Sequence, residues 1–461
     1  MRIRTLLCGV LMAAGILASA APRQKPSRRK QPALAATPPM GWNSWDSYGT
    51  TVSEAQVRAN AAWMARHLKK HGWQYVVVDM EWFVRNPVPA GNANNSQYAL
   101  DAHGRYLPAP NRFPSAEGEK GFAALATYVH SLGLKFGIHI LQGIPRAAVS
   151  QNLPIAGSHF RAADAANTGS SCKWNPDNYD LKNTPAGQAY YDSIAHLYAS
   201  WGVDMIKADC IASRPYKSAE IRMLSEAIRR TGRPIVLSLS PGEAPLDKVD
   251  EMRRYAQMWR ISDDVWDEWH SSVEYPQGLG DQFPRAAAWS PLGEPGHWPD
   301  ADMLPLGYLG PAPGWGSPRE SRLTPDEQRS MMTLWSIFHS PLMMGGNLPR
   351  TDEATAALLT NDEILAVDQH STGNRAVIQT PDISVWVAAP VGGKGRYVAV
   401  FNTSSHAEAL SFTWQQLGWP APRYRLRDLW THRDADPVDS LAVALQPHAC
   451  VIYRALPVYA N

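Results

Sequence analysis

The chain has 461 residues, of which 44% are hydrophobic and 19% are charged, which is typical of a soluble globular protein with one large domain and one small domain. The first 36 residues contain seven Lys or Arg and no acidic residue, so the overall charge of +2 leaves residues 37–461 at −5. A mildly acidic folded body gives no reason to expect a nucleic-acid partner.

The N-terminal segment predicts export. Two arginines precede an apolar run that ends at Leu17, and small residues follow it, as in a secretory signal peptide. The run is shorter than the roughly 20 residues of a spanning helix, and an uncleaved anchor is the alternative. We expect a signal peptide over residues 1–20, a basic disordered leader over 21–36, and a secreted or periplasmic protein without membrane contact after cleavage.

Short apolar runs and amphipathic segments alternate between residues 37 and 370. Ser53 begins a capping box with Gln56, which marks a helix start. The strand-like runs are Tyr75–Val78, Leu134–Ile140, Val203–Ala208 and Pro234–Leu239, and helical patterns cover 119–132, 187–201, 217–231 and 325–338. Repeated strand–helix units over about 330 residues predict an α/β fold with a closed (β/α)8 TIM barrel.

The pattern changes near residue 371. Runs such as Ile383–Ala388, Tyr397–Phe401 and Ala449–Tyr453 are rich in β-forming residues, and Gly, Pro, Asn and Asp separate them. Residues 371–461 are therefore predicted to form a C-terminal antiparallel β domain.

Polar residues stand where several predicted barrel strands end. Asp79 follows YVVV, His139 follows KFGI, and Lys207 and Asp209 follow VDMI. Lys207 and Asp209 share one face of their strand because alternate side chains point the same way. Since the C-terminal strand ends form the catalytic face of such a barrel, these residues predict an active site.

A second acidic group lies in MWRISDDVWDEW, residues 258–269, where Asp263 and Asp264 stand among tryptophans. Burial beside indole rings would raise the pKa of such a carboxyl group, whereas Lys207 would keep Asp209 ionised. One protonated and one ionised carboxyl group is the division of labour in retaining glycoside hydrolysis. A structural ion pair is the alternative for each residue alone.

Three cysteines follow the predicted leader: Cys172, Cys210 and Cys450. Their odd number permits at most one internal disulfide, for which Cys172 and Cys210 are candidates, and buried free thiols are the alternative. No Cys/His cluster has zinc-ligand spacing and no glycine-rich phosphate loop is present, so we expect no metal ion and no cofactor.

Seven segments together resemble the melibiase family, glycoside hydrolase family 27. In chain order they are TPPMGWNSWDSYG (37–49), YVVVD (75–79), GLKFGIH (133–139), WGVDMIKAD (201–209), WRISDD (259–264), HWPDADML (297–304) and SPLMMGGNL (340–348). The resemblance implies a (β/α)8 barrel followed by a C-terminal antiparallel β-sandwich. It also implies retaining hydrolysis of α-glycosides without a metal ion.

The resemblance also assigns roles to residues. Asp209 matches the nucleophile, and Asp264 matches the acid/base because it stands four residues after Arg260, so Asp264 is preferred to Asp263. The positions that match sugar-binding residues are Trp45, Asp79, Lys207, Arg260, Asp302 and Met303.

Four further positions depart from the family pattern and are expected to contact the sugar. Met80 replaces a second acidic residue and is followed by Glu81, His139 stands where tyrosine is common, and Ser240 lies in SLSPGEAP, which replaces a Glu-Trp-Pro segment. These departures bear on the identity of the sugar more than on the reaction at its anomeric carbon.

The leading hypothesis is a secreted retaining α-galactosidase that acts on an oligo- or polysaccharide. Met80 and the SLSPG segment motivate an alternative with the same mechanism, an isomaltodextranase-like α-glucan hydrolase or a β-L-arabinopyranosidase. A carbohydrate-binding protein without catalytic activity is the remote alternative.

Overall fold

Eight parallel strands follow the N-terminal region, and almost every residue in them is buried. They are β1 Met40–Asn43, β2 Tyr75–Val78, β3 Lys135–Leu141, β4 Met205–Asp209, β5 Val236–Leu239, β6 Met258–Arg260, β7 Trp298–Asp300 and β8 Leu342–Met344. Each pairs with its successor from β1 to β7, and β8 pairs with β1. A parallel bridge between Leu304, just beyond β7, and Met344 of β8 completes the ring. The predicted (β/α)8 barrel is confirmed.

This computed structural model describes residues 34–88, 95–273 and 275–459. The predicted signal peptide and nearly all of the predicted leader lie outside those ranges. Within them, no helix combines the length and the apolarity that a membrane crossing requires.

The helices between the strands follow the sequence pattern closely. They are α1 Glu54–His67, α2 Ala123–Ser131, α3 Pro185–Trp201, α4 Ser218–Arg230, α5 Val249–Tyr255, α6 Gln282–Trp289, α7 Pro325–Phe338, α8 Glu353–Leu359 and α9 Asp362–His370. The Ser53 backbone N–H donates to Gln56 Oε1 over 2.9 Å, so the predicted capping box is present. Helix α2 begins four residues later than expected because Gly118, Glu119 and Gly121 take positive φ angles.

A long insertion separates β3 from α3. Residues 142–181 contain the short helices Arg146–Ser150 and Ala162–Ala165 and a three-stranded sheet built from Ile144–Pro145, Ala166–Ser171 and Asn178–Leu181. Because it follows the C-terminal end of β3, the insertion is placed at the catalytic face of the barrel.

The C-terminal part is antiparallel, as predicted. Its strands are β9 Ser371–Gln379, β10 Ile383–Pro390, β11 Arg396–Asn402, β12 Glu408–Thr413, β13 Arg423–Asp428, β14 Ser440–Leu445 and β15 Cys450–Val458. A five-stranded sheet has the order β9-β10-β11-β15-β13, and β12 pairs with β14.

Alternate side chains of β10 point to opposite faces of the five-stranded sheet, and each face packs against a different part of the protein. Val385 and Val387 pack with Phe412 and Leu441 of the two-stranded sheet, which makes a β-sandwich. Trp386, between the two valines, belongs to the core of the barrel instead. The described residues form one compact unit. Helix α9 ends at His370 and β9 begins at Ser371.

An apolar layer fills the barrel below its catalytic face. Tyr75, Val77, Met205, Met258 and Met303 are among the buried side chains that pack there. In β4 and β6 the charged residues Lys207, Asp209 and Arg260 follow the buried methionines towards the C-terminal end of each strand. The barrel thus presents its polar residues at one face without exposing its interior to water.

Candidate active site

A cavity of about 570 Å³ opens at the C-terminal ends of the barrel strands. The predicted site residues that line it are Trp45, Asp79, Met80, Lys207, Asp209 and Asp264. They come from the ends of β2 and β4 and from the loops after β1 and β6. The fold therefore brings both predicted catalytic carboxyl groups into one cavity.

Asp209, at the end of β4, is held in the ionised form. Its Oδ1 accepts a 2.7 Å hydrogen bond from the Cys210 backbone N–H, and its Oδ2 lies 2.9 Å from His139 Nε2. Burial raises the pKa of Asp209, but the contacts with His139, the charge of Lys207 and the Cys210 N–H outweigh burial and lower this pKa below its ordinary value. An ionised carboxylate facing a cavity is suited to nucleophilic attack.

Asp79 and Lys207 form a buried ion pair beside Asp209. Lys207 Nζ lies 2.9 Å from Asp79 Oδ2, and Asn43 Nδ2 donates to the same oxygen over 2.7 Å. Burial raises the pKa of Asp79, but Lys207 and His139 lower it to well below its ordinary value. Asp79 is thus an ionised hydrogen-bond acceptor in the wall of the cavity.

Asp264 is more accessible than Asp209. Its side chain is 26% exposed, its Oδ1 accepts from Arg260 Nη2 over 3.1 Å, and its Oδ2 accepts from the Tyr275 hydroxyl over 3.2 Å. The three tryptophans of that segment each pack against another ring. Trp259 packs on Trp289, Trp266 on Trp315 and Trp269 on His448. Arg260 and Tyr275 are the groups that hold Asp264.

The neighbouring Asp263 also lines the cavity, but its side chain is only 7% exposed and it forms an ion pair with Arg214. Burial raises the pKa of Asp263, and Arg214 partly opposes this effect. Of the two adjacent acids, Asp264 is the one with the more accessible carboxyl group.

Asp302 and Met303 lie behind the cavity wall. Asp302 Oδ1 lies 2.7 Å from Arg260 Nη1, and its Oδ2 accepts from the Val265 N–H over 2.7 Å. Burial raises the pKa of Asp302 to about 7, with Arg260 acting in the opposite direction. Asp302 therefore fixes Arg260, which in turn holds Asp264, while Met303 packs in the apolar layer of the barrel.

Glu81, His139 and Ser240 are also outside the cavity lining. Glu81 is 1% exposed, and its Oε1 lies 3.5 Å from Asn175 Nδ2. Burial, helped by Asp177 and opposed by Arg112, raises the pKa of Glu81 to about 8. Ser240 contributes backbone, since its carbonyl accepts from the Ile211 N–H. His139 reaches the cavity through Asp209.

The cavity is also lined by four aromatic or amide residues that the sequence did not predict. Trp174 and Asn175 come from the insertion after β3, Tyr275 from the loop after β6 and Trp315 from the loop after β7. The only sequence signal for them is their position in Gly-, Pro- and Ser-containing stretches, which mark loops without saying where the loops fold.

Cys172 and Cys210 form a disulfide with a Cα–Cα distance of 5.9 Å, so the pairing left open by the sequence is present. The disulfide links the insertion after β3 covalently to Cys210, the residue directly after Asp209. Cys450 is a free thiol. Across the described ranges, no group of three or more His, Cys, Asp or Glu side chains is placed to hold a metal ion.

Comparison with known proteins agrees with this architecture. The family profile described as Alpha galactosidase A matches residues 37–151 and 177–370. The chain belongs to this family. A second profile, the alpha galactosidase C-terminal beta sandwich domain, matches residues 380–455. Membership of the alpha-galactosidase family confirms the resemblance found in the sequence motifs and makes the chain a glycoside hydrolase.

Three relatives illustrate the range of the alpha-galactosidase family. A GH27 β-L-arabinopyranosidase from Geobacillus stearothermophilus is 47% identical, with a TM-score of 0.89 over 93% of this chain and 98% of that one, and a variant of it has been solved in complex with arabinose. The alpha-galactosidase of Cyamopsis tetragonoloba is 28% identical over 92% of this chain and 87% of its own length. Alpha-galactosidase A of Cellvibrio japonicus is 26% identical over 98% of this chain and 99% of its own length.

Proposed function

We propose that this enzyme hydrolyses terminal α-D-galactopyranosides and the β-L-arabinopyranosides that share their ring configuration, with retention at the anomeric carbon. The observation that carries the proposal is that Asp209 and Asp264 line one cavity with different surroundings. Asp209 is buried and ionised, whereas Asp264 is partly exposed. Retaining glycosidases use one carboxyl group as a nucleophile and another as the acid/base.

In the first step, Asp264 donates a proton to the glycosidic oxygen while a carboxylate oxygen of Asp209 attacks the anomeric carbon. The C1–O bond breaks, the leaving group departs as an alcohol, and the sugar becomes esterified to Asp209. In the second step, Asp264 accepts a proton from water as the water attacks the same carbon and releases Asp209. Two inversions give net retention.

Neighbouring groups position the sugar for these steps. Ionised Asp79 accepts hydrogen bonds from sugar hydroxyls, and Lys207 donates to them from the same wall of the cavity. Arg260 holds Asp264 through Nη2 while its Nη1 is fixed by Asp302. The acid/base is thus oriented by a guanidinium group that is itself locked in place.

Met80 favours the pentoside as the better substrate. Its side chain lines the cavity beside Asp79 and offers no hydrogen bond, where a second acidic residue is usual in α-galactosidases. A β-L-arabinopyranoside lacks the exocyclic hydroxymethyl group of galactose, so it has no hydroxyl there that Met80 would leave without a hydrogen bond. The higher identity to the arabinopyranosidase, 47% against 28% for the Cyamopsis enzyme, supports the same preference.

A substrate panel tests this proposal. Initial rates are measured on the 4-nitrophenyl glycosides of α-D-galactose, β-L-arabinopyranose and α-D-glucose, and on dextran. We expect turnover of the first two, with the larger kcat/KM on the pentoside. Sugar release from dextran without turnover of either would overturn the proposal in favour of the isomaltodextranase-like alternative.

We also propose that the enzyme is exported. The apolar segment preceded by arginines and the Cys172–Cys210 disulfide support this, because disulfides persist in oxidising compartments. N-terminal sequencing of the mature protein should start near residue 21. A mature protein that retains Met1 would contradict export by cleavage.

A further inference from the structure

Trp174 is the most exposed tryptophan side chain at the site cavity. It is 48% exposed, and within the described ranges its ring has no aromatic or cationic neighbour. Trp315 in the same cavity is different, because Trp266 and the Arg319 guanidinium group pack against it. A large apolar ring left in water at the mouth of a site gains free energy when a ligand covers it.

The backbone on both sides of Trp174 is fixed. Cys172 is buried and bonded to Cys210, and Asn175 is buried with its Oδ1 accepting from the Asp177 N–H over 3.0 Å. The exposure of the indole therefore does not come from a loose loop. An indole on a fixed backbone has only its two side-chain torsions to lose when it binds.

The position of the two carboxyl groups decides which part of a substrate lies near Trp174. Asp79, Met80 and Asp209 are 1%, 8% and 7% exposed and mark the closed end of the cavity. Tyr275, which donates to Asp264, is 46% exposed. Because the anomeric carbon must lie between Asp209 and Asp264, the leaving group extends past Asp264 towards the open end.

We propose that Trp174 forms a leaving-group subsite for a second sugar ring, with Tyr275 and Trp315 as its other aromatic walls. The C–H face of a pyranose stacks on an indole while its hydroxyls remain hydrogen-bonded. This inference rests on the proposed function and specifies its substrate class. The substrate is a glycoside attached to another sugar, as at the end of an oligo- or polysaccharide branch, and not one attached to a small alkyl group.

The subsite also serves the second half of the reaction. When a sugar occupies it, one of its hydroxyls can replace water, give its proton to Asp264 and attack the anomeric carbon. The ester to Asp209 breaks and a new glycosidic bond forms. The ratio of this transfer to hydrolysis measures occupancy of the subsite at a fixed acceptor concentration, and it does not depend on how much enzyme is folded.

The test compares Trp174→Ala and Trp174→Phe with the wild type on two substrates of the same glycone, a disaccharide and a methyl glycoside. We expect Trp174→Ala to lower kcat/KM on the disaccharide about tenfold, mainly through KM, and to leave the methyl glycoside within about twofold. Trp174→Phe should recover part of the loss. Tyr459→Ala, which removes an exposed aromatic ring outside the cavity lining, is the control and should change neither rate.

The ratio of sugar transfer to hydrolysis gives the second readout. With a fixed concentration of a sugar acceptor, Trp174→Ala should lower the transfer-to-hydrolysis ratio by a factor similar to its loss on the disaccharide. Equal losses on both substrates, or an unchanged ratio, would overturn the subsite while leaving the proposed function intact. A wild-type enzyme inactive on both substrates would instead count against the proposed function itself.

Discussion

His139 Nε2 lies 2.9 Å from Asp209 Oδ2. A carboxylate can only accept hydrogen bonds, so the proton of this contact is on Nε2 and the ring acts as a donor to Asp209. The other ring nitrogen, Nδ1, is buried without a hydrogen-bond partner in the described part of the chain. His139 is thus directed at Asp209, where the family commonly has a tyrosine.

Replacing His139 by Phe should make Asp209 easier to protonate. The His139 contact is the main group that lowers the pKa of Asp209 against the effect of burial, so its loss raises that pKa. Since protonated Asp209 cannot attack, the acidic limb of the kcat/KM profile should move to higher pH. His139→Tyr, which keeps a donor, should move it less. An acidic limb that stays in place in His139→Phe would contradict this role.

Asp264→Ala should separate substrates by their leaving groups. Glycosides with sugar leaving groups need a proton on the departing oxygen and should lose about 10²- to 10⁴-fold in kcat, whereas 2,4-dinitrophenyl glycosides should lose far less. Asp263→Asn is the matched control, because it alters the adjacent residue and should show no such dependence. Equal losses of Asp264→Ala on both kinds of substrate would rule out the acid/base role.

Met80→Asp should shift the substrate preference towards the hexoside. A carboxylate at this position can accept a hydrogen bond from the hydroxymethyl group of galactose, and it leaves an unpaired polar group when a pentoside binds. The ratio of kcat/KM on the α-galactoside to that on the β-L-arabinopyranoside should rise about tenfold or more. Met80→Leu should leave the ratio near its wild-type value. An unchanged ratio in Met80→Asp would contradict this prediction, because it would show that residue 80 does not lie near the hydroxymethyl group of the bound sugar.

Glu81→Gln should stabilise the protein at alkaline pH. Burial, together with Asp177, raises the pKa of Glu81 to about 8 in the folded state, above its unfolded value of 4.5. The folded protein therefore keeps a proton that the unfolded chain releases, and stability is lost as pH rises from about 4.5 towards 8. Denaturant unfolding should show that Glu81→Gln is more stable than the wild type by roughly 4 kcal/mol at pH 8 and little changed at pH 4.5. A constant difference between the two pH values would contradict the shift.

The alternation of side chains in a strand explains why part of the site could be predicted. Asp79, Lys207 and Asp209 follow buried strands, and the structure places all three in the cavity. Glu81 and Ser240 were expected in the site as departures from the family pattern, and both lie outside the cavity lining. Glu81 takes a positive φ of 60° just beyond β2, and Ser240, just beyond the end of β5, contributes its backbone carbonyl.

The loops could not be predicted in the same way. Trp174, Tyr275 and Trp315 come from three different loops, and no local periodicity brings them together. The groups that hold Asp264 could not be predicted either, because Arg260, four residues before it, and Tyr275, eleven residues after it, reach the carboxyl group through the tertiary fold. Tertiary contacts decide these positions, whereas the strand pattern decides the barrel.

The central claim is that Asp209 forms a covalent bond to the sugar while Asp264 handles the proton. Its most direct test is to inactivate the enzyme with a 2-deoxy-2-fluoro glycoside of the preferred sugar and to locate the adduct by peptide mass spectrometry. We predict one sugar per chain, attached to Asp209. An adduct on Asp263, on Asp264 or on any other side chain would contradict the account.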